Sequence, residues 1–266
     1  MRVRAVAAGL VAAVVATGCA AAPRVAAPSA SVPTVSPRPA VPAKLKPKPK
    51  PKPKPKPKPE PTQLAPSPTA RATTPPVAQH GQQLLVVSAA SYGVTGATFT
   101  AYQRVGGGWQ PVFGPWTARI GYNGFAPAGE KREGDGRTPS GTYGFGFLFG
   151  VDANPGVRFA YRAATSKDVW DDDPRSPLYN EWVDTSRADP GTRPEPMDQV
   201  PAYDYGAVIA YNTARTPGLG SAIFLHVQSG DSTAGCVALP TGELLDVLRW
   251  LDPARSPLIR MGVGVG

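Results

Sequence analysis

From Gln82 to the C-terminus the sequence predicts a mainly β domain, a sandwich of antiparallel and mixed strands with one or two short helices. Three features point there. Short runs alternate apolar and polar residues at a period of two, Gly and Pro punctuate those runs, and one later stretch places apolar residues at helical spacing.

The elements follow in order. Residues 84–88 form a short apolar run, and residues 97–102, Ala-Thr-Phe-Thr-Ala-Tyr, alternate strictly. Gly106-Gly107-Gly108 turns into residues 109–117, so a hairpin is expected. Residues 207–211 and 222–228 have the composition of core strands. Thr241 is placed to cap a helix whose Leu244, Val247, Leu248 and Leu251 share one stripe. Residues 258–263 read as a closing strand.

The first 80 residues are of another kind. They hold 18 of the 33 prolines and 13 of the 28 Lys and Arg, against one acid, Glu60. The remaining residues carry 15 basic and 18 acidic side chains, so the formal net charge of +9 belongs to the tail. The charge is not spread over a folded face, which argues against a nucleic-acid-binding domain. About 185 residues are enough to bury a sizeable core without disulfide or metal staples.

Residues 1–19 resemble an export signal: two arginines by position 4, then a small-apolar run from Ala5 to Ala16. Ala16-Thr17-Gly18-Cys19 is similar to the site where lipoproteins are cut before a diacylated cysteine, giving an N-terminal membrane anchor on Cys19. Cleavage after Ala22 and an uncleaved anchor over residues 5–22 are the other readings. All three place the rest outside the cytoplasm, in the cell envelope. Residues 20–81 hold almost nothing that could pack, and seven Lys-Pro repeats run from Lys46 to Pro59. Alternate prolines and like charges favour an extended polyproline-II stalk, which at about 3.1 Å per residue would reach on the order of 190 Å. It is either an inert basic spacer or one drawn to anionic wall polymers or headgroups.

Within residues 82–266 the chemistry-bearing residues are scarce. Cys236 is the single cysteine there and His226 the single histidine. In the strand at 222–228 the pleat sends Ile223, Leu225 and Val227 to one face and Ala222, Phe224, His226 and Gln228 to the other. The small polar stretch 229–235 can fold back along that strand, so Cys236 can meet His226. An imidazolium beside a thiol populates the thiolate, and the backbone N–H groups of Gly235 and Cys236 are natural donors to an oxyanion. Two other readings stand beside this one: an inert buried cysteine with a core histidine, and a zinc site of His226, Asp231 and Cys236.

The surrounding words carry a resemblance. Ala222-Ile223-Phe224-Leu225-His226 followed by Thr233-Ala234-Gly235-Cys236-Val237-Ala238-Leu239 resembles the active-site segment of the L,D-transpeptidase catalytic-domain family, in its actinobacterial-envelope subgroup. Gly134-Asp135-Gly136-Arg137-Thr138-Pro139-Ser140-Gly141-Thr142 is similar to that family's upstream turn, and Tyr211-Asn212 to a pair in the subgroup. Trp170, Asp173-Pro174, Ser176 and Tyr179-Asn180 fit its central loop. The likeness spans residues 84–263, with Ala234 standing where the common form has a second histidine.

The resemblance implies a β-sandwich of the L,D-transpeptidase type that needs no metal or cofactor. It implies that Cys236 attacks a peptidoglycan stem peptide, with His226 as base, and that transfer to an amine gives a 3→3 cross-link and transfer to water a carboxypeptidase. The third member of the site would be a backbone carbonyl, with Ser221 or Ser229 behind it. Arg137, Tyr179, Tyr211, Asn212 and Thr233 are the residues expected near substrate, although Arg137 could equally salt-bridge within its turn and Tyr179 and Trp182 could serve as packing or lid. Asp171-Asp172-Asp173 reads as a solvated capping turn rather than a calcium site, because consecutive side chains diverge. A non-catalytic wall-binding module is the contrasting function. Oligomeric state is left open.

Overall fold

A computed structural model describes residues 81–266; the export segment, Cys19 and the Lys-Pro repeats lie outside the described residues. The first strands, β1 (Gln83–Ala89), β2 (Gly96–Val105) and β3 (Gly108–Arg119), form an antiparallel meander. The β2–β3 hairpin turns on Gly106 and Gly107 at φ +56° and +89°, the two positive values a two-residue turn of matching twist demands. Short strands follow: β4 (Phe125–Ala126), β5 (Thr138–Pro139), β6 (Gly141–Tyr143), β7 (Phe145–Gly150) and β8 (Tyr161–Ala163). Then come β9 (Asp168–Asp171), β10 (Glu181–Asp184), β11 (Glu195–Pro196), β12 (Gly206–Ile209), β13 (Phe224–Val227) and β14 (Val237–Leu239). Helix α1 (Thr241–Trp250), a 3-10 turn at Pro253–Arg255 and β15 (Leu258–Val263) end the chain.

Ten strands make one sheet in the order β6-β15-β1-β2-β3-β14-β13-β12-β7-β8. It is mixed, since β1 with β15, β13 with β14 and β7 with β8 run parallel and the other pairs antiparallel. Strands β6 and β7 are separated by Gly144 alone, yet they lie toward opposite ends of this order. The sheet must therefore curl until its ends meet. The closure is visible in the Ala210 amide, which donates to Gly144 O at 3.0 Å, and in the Tyr143 and Tyr211 rings, edge to face at 5.5 Å.

The curl encloses the main core. Leu85, Val87, Phe99, Ile120, Leu225, Val237 and Ile259 meet there with Leu244, Val247, Leu248 and Leu251 of α1, the stripe expected from helical spacing. The helix starts differently from expectation: Pro240 occupies the cap position, no side chain caps the end, and Thr241 is already the first helical residue. Pro240 O takes the amide of Leu244 at 2.9 Å, and a fixed proline φ suits this entry.

A second apolar cluster lies on the other face of β13. Phe224, Phe149, Trp170, Met197, Tyr203 and Cys236 meet there, covered by the small sheet β10-β9-β11. Strands β12 and β13 are thus buried on both faces, which explains their nearly continuous apolar sequences.

Candidate active site

Strand β13 alternates as its pleat requires. Leu225 and Val227 enter the main core, whereas Phe224 packs in the second cluster against Trp170 at 5.0 Å and Phe149 at 5.3 Å. His226 follows Phe224 on that second face.

After Val227 the chain loops out and returns as β14, parallel to β13, with Leu225 opposite Val237 and His226 opposite Ala238. This register sets Cys236 beside Phe224, one diagonal step from His226 on the same face. Cys236 Sγ accepts from the Phe224 amide at 3.3 Å and donates to Ala222 O at 3.3 Å. Both Cys236 and His226 line one cavity of about 440 Å³. A larger hollow of about 810 Å³ contains neither residue and shares only Lys131 with the first.

The loop is pinned from the side of the 134–142 turn. Thr138 Oγ1 accepts from the Gly121 amide at 2.9 Å and donates to Cys236 O at 3.2 Å, and Thr233 Oγ1 donates to the same carbonyl at 2.8 Å. Thr233 also exchanges backbone bonds with Ile120 and Tyr122. Gly235 has φ +151°, and a Cβ there would meet Arg137 O at 2.9 Å, so this approach requires glycine. Its amide donates to Thr233 Oγ1 at 3.1 Å. In this state that N–H, expected to face an oxyanion, is engaged with the threonine and would have to change partner to serve.

The imidazole is held by Val227 O, 2.8 Å from Nδ1. A carbonyl only accepts, so Nδ1 carries the proton and Nε2 is the basic nitrogen. The group that orients the imidazole is thus a backbone carbonyl. Ser221 is directed elsewhere, its hydroxyl donating to Glu133 Oε2 at 2.7 Å.

The electrostatics depart from the expected ion pair. Burial lowers His226 to about 4 against the support of the Val227 and Ala202 carbonyls. Burial also pushes the Cys236 thiol well up, helped by Glu195 and opposed by the Phe224 amide and Lys131. Sulfur and imidazole both rest neutral. The physical reason is the second cluster: the low-dielectric aromatic wall disfavours either charge.

Of the residues expected near substrate, Thr233 lines the cavity; Arg137, Tyr179, Tyr211 and Asn212 are not among its walls. Arg137 contributes backbone, its amide donating to Asp135 Oδ1 at 2.9 Å and its carbonyl packing on Gly235. Tyr179 is buried, donating to Glu133 and accepting the Gly220 amide at 3.1 Å. Asn212, at φ +49°, ties residues 212–220 through Thr216 and Gly220, while Tyr211 donates to Leu219 O and lines the larger hollow. These three reach the site through the loops they fasten. Trp182 packs on Phe147 and Phe149 and donates to Asp168 Oδ1 at 2.7 Å.

The zinc grouping does not assemble. Asp231 is 99% exposed and lies 3.6 Å from Arg119, whereas His226 and Cys236 face the cavity. In the aspartate run, Asp171 and Asp173 cap as expected but are buried rather than solvated: Asp171 takes the Gly191 and Asp173 amides, and Asp173 takes Arg175 and Thr192. Asp172 instead lines the cavity, where burial and the nearby Glu133 raise it to about 6. Glu133, Glu195, Tyr203 and Lys131 complete the polar wall. None of these announced itself in sequence, because each comes from a loop or, for Glu195, a two-residue strand without periodic pattern.

Residues 95–259 match the family model of the YkuD, L,D-transpeptidase catalytic domain. The chain belongs to this family. The curled mixed sheet is consistent with the sandwich of YkuD domains. No curated protein matches the chain. Among solved structures, the helical cell shape determining protein Pgp2 from Campylobacter jejuni is similar over 71% of this chain, at 14% identity and a TM-score of 0.33. The match spans half of Pgp2's length.

Proposed function

We propose that this YkuD domain is a cysteine acyltransferase that cross-links peptidoglycan stem peptides from outside the cytoplasm. One observation carries the reading: Cys236 and His226, adjacent on one face of β13 and β14, open into a single cavity.

Because both groups start neutral, proton transfer accompanies attack rather than preceding it. Cys236 Sγ forms a bond to the carbonyl carbon of the third stem residue as His226 Nε2 takes the thiol proton. The tetrahedral intermediate collapses with loss of the terminal D-Ala, whose nitrogen receives that proton, leaving a thioester. The acceptor amine then gives a proton to Nε2 as its nitrogen bonds the same carbon, and the thiol leaves with that proton. The product is a 3→3 cross-link. With water as acceptor the same steps release a tripeptide.

Residues 1–19 would export the chain, Cys19 would carry the lipid anchor, and residues 20–81 would hold the domain away from the membrane. Incubation with a carbapenem should add the mass of one drug molecule to the chain, and Cys236→Ala should remain unmodified. A tetrapeptide stem with an amine acceptor should then yield cross-linked dimer; accumulation of tripeptide alone marks a carboxypeptidase. An unmodified wild-type chain that also leaves the tetrapeptide intact would mean a wall-binding module.

A further inference from the structure

Two groups in the cavity have no part in the transfer steps: Glu195, in β11, and Tyr203. They form a unit. Tyr203 Oη donates to Glu195 Oε1, and Gln199 Nε2 donates to the same oxygen at 3.2 Å. The Tyr203 ring stands edge-on to the His226 imidazole at 5.5 Å and to Phe224 at 5.7 Å.

The segment bearing this ring is fixed to the strands on both sides. Tyr203 N donates to Gln199 O at 2.6 Å, Val151 N to Tyr203 O at 2.9 Å, and Val227 N to Ala202 O at 3.1 Å. The last bond joins it to the residue whose own carbonyl holds Nδ1. Imidazole orientation therefore depends on a carbonyl below and an aromatic ring beside it.

The charges facing the sulfur are unbalanced. Glu195 comes from β11, Glu133 and Lys131 from the stretch before the 134–142 turn, Asp172 from the end of β9, and His226 from β13. Lys131 is already bound by Asp135 at 2.7 Å. Three carboxylates thus share the cavity with a thiol that must lose its proton.

We propose that Tyr203 is a positioning residue for the His226 imidazole, and that Glu195 both anchors Tyr203 and opposes negative charge at Cys236 Sγ. The inference rests on the thiol–imidazole reading above. Its electrostatic part is supported by Glu195 being the chief raising influence on Cys236 after burial, and by Glu195 and Cys236 both raising Tyr203.

The test uses the full chain and two readouts. Iodoacetamide alkylation between pH 7 and 9 is followed on the tryptic peptide carrying Cys236, so that Cys19 does not contribute. Glu195→Gln keeps the shape and still accepts the Tyr203 hydroxyl but carries no charge; its alkylation should be about three- to tenfold faster than wild type throughout. Tyr203→Leu should lower kcat on the tetrapeptide tenfold or more with KM within twofold, and Tyr203→Phe, which keeps the ring but loses the Glu195 anchor, should restore only part of it. Wild-type alkylation in Glu195→Gln, or wild-type kcat in Tyr203→Leu, overturns the proposal. If Tyr203→Leu fails to fold, Tyr203→Phe decides the positioning part, wild-type kcat there overturning it, and Glu195→Gln decides the electrostatic part. Alkylation needs no turnover, so a chain inactive on stem peptides sinks the proposed function without touching this measurement.

Discussion

At the scale of single residues, burial decides more than proximity. The Cys-His pair was legible in sequence from the alternation at 222–228 and the length of the following loop, but its protonation was not. That depends on Phe149, Trp170 and Tyr203, which reach the site from three separate segments. The consequence for His226 is measurable. It titrates near 6.5 when unfolded and at about 4 when folded, so between those values the unfolded chain binds more protons. The stability this histidine contributes is intact above 6.5 and is lost as pH falls through about 4. Asp172, raised to about 6, acts in the opposite sense over part of the range, so a comparison of variants is required. Between pH 7.5 and 5, wild type should lose about 2 kcal/mol more than His226→Gln in urea denaturation. Parallel losses in the two proteins would show that the imidazole is solvated in the folded state.

At the scale of elements, regular strands were readable and the supports of the site were not. Strands β2, β13 and β15 follow their sequence alternation or apolar runs, whereas β4, β5 and β11 have two residues each and carry no period to detect. The 134–142 turn was expected near substrate through Arg137, yet its working member in this structure is Thr138. This hydroxyl bridges Gly121 on one side and the Cys236 carbonyl on the other, with no exposure to water. Thr138→Val preserves the shape and leaves the buried Gly121 N–H without its acceptor. The expected cost is about 1–3 kcal/mol. Carbapenem acylation should also slow, because one of the two hydroxyl bonds that hold the Cys236 carbonyl is gone. Urea denaturation and acylation rates check the two effects separately, and a Thr138→Val chain that acylates at the wild-type rate would remove the turn from any part in holding the nucleophile.

For the whole molecule, the decisive feature is the separation of charge from fold. Residues 1–80 hold 13 basic side chains and one acid, while the remainder has 18 acids against 15 bases. The cavity lined by Cys236 and His226 repeats that bias, with Glu133, Asp172 and Glu195 against Lys131. Attraction to an anionic surface should therefore reside in the tail alone, and be screened over about 8 Å at physiological salt. The full chain, expressed without residues 1–19 to remove any lipid, should sediment with vesicles containing anionic lipid at low salt and be released as salt rises. A chain beginning at Gly81 should remain in the supernatant, yet be acylated by a carbapenem within about twofold of the longer chain, since the core that seats Cys236 and His226 is built from residues 81–266. Vesicle binding by the shorter chain would instead place an anion-binding face on the domain.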